Sequence, residues 1–132
     1  MSEHASLKRV LLVEDDDLLR KSLSGLVGAL GYEPVAVESA EEALRRVHQV
    51  PVDLVLTDYR LLAMNGIDLI VNLRKSGLNV PCVLISGFLS EEVRQRARDI
   101  RVAEVLRKPG DIARLGDLLE QFLGAVPPGR PV

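Results

Sequence analysis

The sequence predicts an α/β fold in which five βα units form a doubly wound, five-stranded parallel sheet. Three observations lead to this prediction. Short runs rich in Val, Leu and Ile alternate five times with longer segments whose apolar residues have helical spacing. The runs at residues 10–13 and 54–57 are apolar enough for parallel strands buried on both faces. The length of 132 residues fits one domain.

The predicted elements follow each other regularly along the chain. The predicted strands cover residues 10–13, 34–37, 53–57, 80–85 and 103–106. Each intervening helix has one apolar stripe that can face the sheet. These stripes are Leu19, Leu23, Leu26, Val27 and Leu30 in the first helix, Ala43, Leu44 and Val47 in the second, Ile67, Ile70, Val71 and Arg74 in the third, Val93, Ala97 and Ile100 in the fourth, and Ile112, Leu115, Leu118, Leu119 and Phe122 in the fifth.

Helix-capping residues support the predicted boundaries. Ser39 with Glu42 three residues later is typical of a capping box, and Ser90 before two glutamates is typical of an N-cap. Gly31 ends the first helix. We therefore predict a domain over residues 8–124, an N-terminal arm over residues 1–7 and a frayed, proline-rich tail over residues 125–132.

Composition and charge exclude several classes of protein. The net charge of -2 argues against a general binder of nucleic acid or anionic membranes. The chain has no run of 18 apolar residues and no secretory signal, which predicts a cytoplasmic protein. Cys82 is the only cysteine, so no intramolecular disulfide can form, and we expect this residue to be a small buried hydrophobe.

Acidic, hydroxyl and lysine side chains follow four of the predicted strands. Glu14 and Asp15 follow the first, Asp58 the third, Ser86 the fourth and Lys108 the fifth. Because the carboxyl ends of parallel strands meet at one edge of a sheet, we expect these side chains to share a crevice. A carboxylate beside a cation, a hydroxyl and a lysine has the groups needed to form an aspartyl phosphate.

The clustered carboxylates also predict a metal site. Carboxylates gathered in one crevice repel each other unless a hard cation neutralises them, and magnesium fits this requirement. A zinc site needs Cys or His, and the two histidines, His4 and His48, lie elsewhere in the chain. We expect both histidines to be solvated.

Four motifs together resemble the receiver domain of two-component response regulators over residues 8–124. They are Val13-Glu14-Asp15-Asp16, Leu56-Thr57-Asp58-Tyr59-Arg60-Leu61 with Met64-Asn65-Gly66, Ile85-Ser86-Gly87 and Lys108-Pro109. Each motif is weak alone, but all four follow the expected strands in the expected order. The resemblance implies a stand-alone receiver with the flavodoxin-like strand order 2-1-3-4-5.

The resemblance also implies a role for each site residue. Asp58 accepts a phosphoryl group from a sensor histidine kinase or a histidine phosphotransfer protein. Magnesium is held by Asp15, by Glu14 directly or through water, by Asp58 and by the backbone carbonyl of Arg60. Ser86 and Lys108 bind phosphoryl oxygens, and the peptide bond before Pro109 is cis. Asp16 and Asp17 are instead interpreted as acids at the positive end of the first helix.

The sequence departs from the family pattern at four places. Leu62 replaces the usual Pro, Arg101-Val102 replaces Gly-Ala, and Gly110 replaces a common aromatic. Val105 stands where the family has a Tyr or Phe that moves inward on phosphorylation. We expect Val105 to pack as an ordinary strand residue and to weaken this form of signal transmission.

The output of the domain remains open at this point. Arg94, Arg98 and Arg101 form one stripe on the fourth helix, which is either a solvated face or a site for an acidic partner. The leading hypothesis is a phosphoacceptor that alters binding to an unidentified output protein. A docking module with weak switching is the alternative, and a homodimer stays open. The chain lacks the phosphate loop expected of a flavodoxin-like enzyme and the second acid after Asp58 expected of a phosphatase-like enzyme. We therefore predict no activity on external substrates.

Overall fold

The computed structural model describes residues 7–125, which form five β-strands alternating with five α-helices. The strands are β1 (Arg9–Val13), β2 (Glu33–Val37), β3 (Leu54–Asp58), β4 (Cys82–Ser86) and β5 (Glu104–Arg107). The helices are α1 (Asp17–Ala29), α2 (Ala40–Arg46), α3 (Gly66–Lys75), α4 (Glu91–Asp99) and α5 (Leu115–Leu123). Most of the predicted arm and tail lies outside the described residues.

The strands form one parallel sheet with the predicted order β2-β1-β3-β4-β5. The register pairs Val13 with Thr57 and Ser86 with Arg107. The carboxyl ends of β1, β3, β4 and β5 therefore lie at the same edge of the sheet. β2 lies on one side of β1 and β3 on the other, so the strand order switches between β1 and β3. Ligand crevices form at such switch points.

Apolar side chains cover both faces of the sheet. Residues 10–13 and 54–57 are buried, as the apolar runs predict, and every residue of β4 is buried as well. On one face, α1 and α5 contribute the buried residues Leu23, Val27, Leu115, Leu118 and Leu119. On the other face, α2, α3 and α4 contribute Ala40, Ala43, Ile67, Leu69, Ile70, Leu73 and Ala97.

Cys82 is buried at the start of β4, as predicted. Its burial raises the pKa of the thiol above the ordinary value for cysteine. Cys82 therefore packs as a small apolar side chain.

The predicted strands and the fifth helix differ from the observed ones mainly at their ends. β4 begins at Cys82 rather than at residue 80, and Pro81 before it has no N–H to donate to a neighbouring strand. Ile112, which the apolar stripe assigned to the fifth helix, lies instead in a 3-10 helix over Gly110–Arg114. The Asp111 carboxylate in this turn accepts a hydrogen bond from the backbone N–H of Arg107, at 2.9 Å.

The predicted stripe of α3 is wrong at two positions. Leu73 completes the buried stripe, while Val71 is only half-buried. Arg74 is half-buried, and its guanidinium donates hydrogen bonds to the backbone carbonyls of Ile100 and Arg101 after α4. Arg74 therefore ties the end of α3 to the end of α4.

The helix caps agree with the sequence prediction in most respects. Ser39 accepts a hydrogen bond from the Glu42 backbone N–H at 3.0 Å, and Ser90 caps α4 in the same way. The Glu42 carboxylate, however, accepts from the N–H of Glu38 rather than from Ser39, so the capping box is incomplete. Gly31 follows α1 with a φ of 101°, which favours glycine.

The arginine stripe on α4 is shorter than predicted. Arg94 and Arg98 lie on the helix, but α4 ends at Asp99, so Arg101 has left it. Arg101 adopts a φ of 59°, a left-handed conformation that strains a residue with a Cβ atom. This is the position where the family pattern has glycine.

Candidate functional site

The carboxyl ends of four strands bring the predicted site residues together. Asp58 is the last residue of β3 and Ser86 the last of β4, while Glu14 and Lys108 directly follow β1 and β5. Glu14, Asp58 and Ser86 are only 2%, 6% and 1% exposed. Two buried carboxylates so close together require a compensating cation.

Lys108 supplies that positive charge within the protein. Its Nζ atom lies 2.8 Å from Oδ2 of Asp58 and 3.3 Å from Oε1 of Glu14. Burial opposes the charged ammonium, but the hydrogen bond and the charge of Asp58, with a contribution from Glu14, outweigh burial and raise the pKa of Lys108. Lys108 therefore stays protonated and bridges the two carboxylates.

Glu14 is the carboxylate that burial affects most clearly. Its desolvation is the main cause that raises its pKa to about 7, and the negative charge of Asp58 adds to this effect. The backbone N–H of Asp16 and the charge of Lys108 act in the opposite direction. One lysine therefore compensates the acidic pair incompletely.

The oxygen atoms at this edge fit a magnesium ion. No three His, Cys, Asp or Glu side chains within residues 7–125 are already grouped around one point, and Lys108 contacts both Glu14 and Asp58. Asp15, half-buried beside Glu14, adds a carboxylate that no side chain or backbone N–H of this region contacts. Surplus negative charge and oxygen-only donors are the features that magnesium requires.

Backbone and hydroxyl contacts fix the orientation of Asp58. The backbone N–H of Arg60 donates to its Oδ1 at 3.1 Å, which leaves Oδ2 facing Lys108. The Thr57 hydroxyl donates to the backbone carbonyl of Asp58 at 2.9 Å. The carboxylate is therefore held in one orientation before any reaction.

At Gly66, the loop after β3 passes close to the backbone of Asp58. The Gly66 N–H donates to the carbonyl of Tyr59 at 2.7 Å. A Cβ atom at this position would lie 2.4 Å from the carbonyl oxygen of Asp58 and 2.9 Å from Cδ1 of Leu84. Only glycine allows this close approach, so Gly66 determines where Asp58 lies.

Ser86 lies beside the site with its hydroxyl directed at its own loop. The hydroxyl donates to the backbone carbonyl of Phe88 at 3.1 Å. The β4–α4 loop, residues 87–90, carries the exposed ring of Phe88. A rotation of the Ser86 side chain toward Asp58 therefore exchanges a contact with this loop for one with the site.

Several residues around the site lie where the sequence predicts them. The Lys108–Pro109 peptide bond is cis, as the resemblance implies. Asp16 caps α1 by accepting from the N–H of Leu19, and Asp17 lies in its first turn. Val105 is half-buried and packs toward the α4 side of the sheet.

The sequence gives no clear signal for Gly66 or Arg74 as positioning residues. Gly66 belongs to the Met64-Asn65-Gly66 motif, but its contact with Asp58 depends on the course of the loop. Arg74 bonds to carbonyls 26 and 27 residues away, a pairing that helical periodicity cannot reveal.

The fold and the site define a class of protein, and comparison with known families agrees. Residues 10–120 match the response regulator receiver domain family. Because this match covers most of the chain, the protein belongs to that family, whose general role is to accept a phosphoryl group in two-component signalling. Receiver domains generally depend on magnesium, and response regulators act with sensor histidine kinases.

The chain is also similar to individual bacterial response regulators. The response regulator protein FleR of Pseudomonas aeruginosa is 34% identical over 120 residues, which cover 90% of this chain and 25% of FleR. The receiver protein CpdR of Brucella abortus is 29% identical over 117 residues, which cover 89% of this chain and 98% of CpdR. The chain therefore spans a quarter of one relative and nearly all of another.

Solved structures agree with the family assignment. A CheY-like receiver domain from Methylobacillus flagellatus has a TM-score of 0.76 at 29% identity, and the match covers 89% of this chain and 99% of that chain. No helix within residues 7–125 is long and apolar enough to cross a membrane.

Proposed function

We propose that Asp58 accepts the phosphoryl group in this receiver domain. The proposal rests on the position of the Asp58 Oδ2 atom, which lies 2.8 Å from the ammonium of Lys108 in a crevice shared with Glu14. Asp58 is therefore a fixed carboxylate next to a cation that can also pair with an incoming phosphoryl oxygen.

The transfer is a displacement at phosphorus. A carboxylate oxygen of Asp58 attacks the phosphorus atom of a phosphohistidine, a P–O bond forms, and the P–N bond of the donor breaks. The donor imidazole leaves with the electron pair of that bond. Lys108 and Ser86 then bind phosphoryl oxygens, Ser86 after its hydroxyl leaves the carbonyl of Phe88.

Magnesium fits the remaining acidic groups. Glu14, Asp15, Asp58 and the backbone carbonyl of Arg60 would hold it. When bound, the ion offsets the charge of the acids and of the phosphoryl oxygens. The protein's own contribution is to keep Asp58 oriented, through the N–H of Arg60, and to keep Lys108 charged.

The biological setting follows from this chemistry. The donor is a sensor histidine kinase or a histidine phosphotransfer protein, and the domain over residues 8–124 acts in the cytoplasm, where a kinase has access to ATP. The output is a change in binding to a protein partner rather than to nucleic acid, and the domain has no activity on external substrates. A docking module with weak switching is the second candidate, which the valine at position 105 and the glycine at position 110 favour.

Phosphorylation with a small-molecule donor tests the assignment. Acetyl phosphate with magnesium should add one phosphoryl group by intact mass, and Asp58→Asn should abolish the addition. Asp99→Asn, which removes an exposed acid at the far end of α4, is the matched control and should label like the natural protein. Full labelling of Asp58→Asn, or labelling that a chelator leaves unchanged, would contradict the proposal.

A further inference from the structure

Arg20, in the first turns of α1, contacts the β1–α1 loop, residues 14–16, which carries two of the proposed magnesium ligands. Its guanidinium donates one hydrogen bond to the backbone carbonyl of Glu14 at 3.0 Å and another to Oδ1 of Asp17 at 2.6 Å. The Arg20 side chain is only 17% exposed, so the guanidinium packs against this loop rather than extending into solvent.

The carbonyl that Arg20 holds belongs to the peptide bond between Glu14 and Asp15. The N–H of Glu14 donates to the carbonyl of Val37 at 3.1 Å, but the paired register of β1 with β3 ends at Val13, before this peptide. A peptide bond is planar, so the direction of its C=O also sets where the Cα atom of Asp15 lies. Because the Asp15 carboxylate has no hydrogen bond of its own, its position depends on the bond from Arg20.

The charge of Arg20 and its hydrogen bond have opposite effects on a bound cation. The hydrogen bond to Asp17 is the main cause that raises the pKa of Arg20, and the charges of Glu38 and Glu14 add to it, so the guanidinium interacts with the acids of this edge. A positive charge there repels a divalent cation. A neutral side chain at position 20 therefore tightens magnesium binding if charge dominates, and weakens it if the bond to Glu14 dominates.

We propose that Arg20 is a positioning residue of the magnesium site, which orients the Glu14–Asp15 peptide so that both carboxylates can reach one ion. This inference rests on the magnesium site proposed above. Arg20 acts through the backbone and contacts neither the ion nor the phosphoryl group. Its effect should therefore appear in the affinity for magnesium and not in the rate of phosphoryl transfer at saturating magnesium.

Magnesium titration of the ¹⁵N-labelled protein, without any phosphodonor, tests the proposal through the backbone amide shifts of residues 13–17. Arg20→Gln should raise the dissociation constant for magnesium about fivefold or more, because the group that orients a ligand is lost. Lys21→Gln is the matched control, since it removes the same charge from the next, exposed residue of α1. Its dissociation constant should stay within about twofold of the natural value, because an exposed charge is largely screened.

Further measurements separate positioning from charge and from a general structural role. Arg20→Lys restores the positive charge together with a hydrogen-bond donor, so it should bind magnesium more tightly than Arg20→Gln. At saturating magnesium, Arg20→Gln should be labelled by acetyl phosphate at a rate within about twofold of the natural rate. The metal-free amide spectrum of Arg20→Gln should differ from the natural one only around the β1–α1 loop.

Several outcomes would overturn the proposal. Unchanged or tighter magnesium binding by Arg20→Gln, or an Arg20→Lys protein that binds no more tightly than Arg20→Gln, would show that the bond to Glu14 does not matter. Slow labelling at saturating magnesium, or a metal-free spectrum altered throughout the sheet, would assign Arg20 another role. A natural protein that neither binds magnesium nor needs it for labelling would contradict the proposed function as well, whereas the other results leave that function intact.

Discussion

At the scale of single residues, substitution of Asp15 can test magnesium binding separately from folding stability. Its carboxylate is half-buried and contacts no hydrogen-bond donor within residues 7–125, whereas Glu14 and Asp58 are both bonded to Lys108. Replacing Asp15 therefore removes no hydrogen bond within residues 7–125 of the metal-free protein, but it should lower the affinity for magnesium.

The first prediction concerns Asp15→Asn. The variant should unfold within about 0.5 kcal/mol of the natural protein without metal, because no contact is lost. Millimolar magnesium should stabilise the natural protein by binding the native state, and this gain should be largely lost in the variant. Urea unfolding with and without magnesium measures both quantities. Equal stabilisation of the two proteins by magnesium would show that Asp15 is not a ligand.

Gly66 is a second residue with a defined effect. Gly66→Ala should destabilise the protein by about 2–4 kcal/mol, because its Cβ atom meets the backbone of Asp58 at 2.4 Å and backbone cannot move as easily as a side-chain end. It should also slow labelling by acetyl phosphate, since Asp58 must shift. Chemical denaturation and intact mass measure these effects.

Gly25→Ala is the control for Gly66→Ala. Gly25 lies within α1 and has nothing within 4 Å of an added Cβ atom. Alanine there should stabilise the protein by about 0.5–1 kcal/mol through its better helix propensity. A Gly66→Ala protein as stable and as reactive as the natural one would remove Gly66 from the account of the site.

At the scale of elements, the turn between α4 and β5 contains avoidable strain. Arg101 has a φ of 59°. Its backbone N–H donates to the carbonyl of Arg98 at 3.0 Å and its carbonyl accepts from Arg74 at 3.1 Å, but its side chain makes no hydrogen bond or ion pair within residues 7–125. Arg101→Gly should therefore raise the free energy of unfolding by about 1 kcal/mol. Arg101→Ala removes the same charge but keeps a Cβ atom, so it should not give this gain. Thermal unfolding distinguishes the two variants, and equal stability would show that charge, not backbone strain, matters.

The response to phosphorylation should differ between neighbouring elements. Ser86 can reach a phosphoryl group only by leaving the carbonyl of Phe88, so the β4–α4 loop must respond. Val105 is short, stiff about χ1 and without a polar tip, so it cannot pass a large movement into β5. Amide shifts on adding beryllofluoride and magnesium should be large at residues 86–92 and small at residues 103–106. Equally large shifts through β5 and α5 would contradict this prediction.

At the scale of the whole molecule, the sequence determines the sheet and the site edge through simple patterns. Alternating strand and helix runs predict the parallel sheet, and the residues that end each run predict a shared edge, where the side chains of Glu14 and Asp58 contact Lys108. These predictions succeed because parallel topology brings strand ends together regardless of loop detail.

The remaining features depend on contacts that no local pattern contains. The bonds from Arg74 to the end of α4 join residues 26 and 27 positions apart, and they exist only because α3 and α4 lie side by side. The start of β4 and the 3-10 turn after Pro109 depend on which backbone groups find partners.

The central claim, that Asp58 is the one residue to carry the phosphoryl group, has a direct chemical test. Borohydride reduces an aspartyl phosphate to homoserine, which tandem mass spectrometry of the digested protein can place in the sequence. After labelling by a phosphorylated histidine kinase with magnesium, we expect homoserine at position 58 and at no other aspartate. Homoserine at Asp15 or any other position, or none in a protein that intact mass shows to be labelled, would contradict the account.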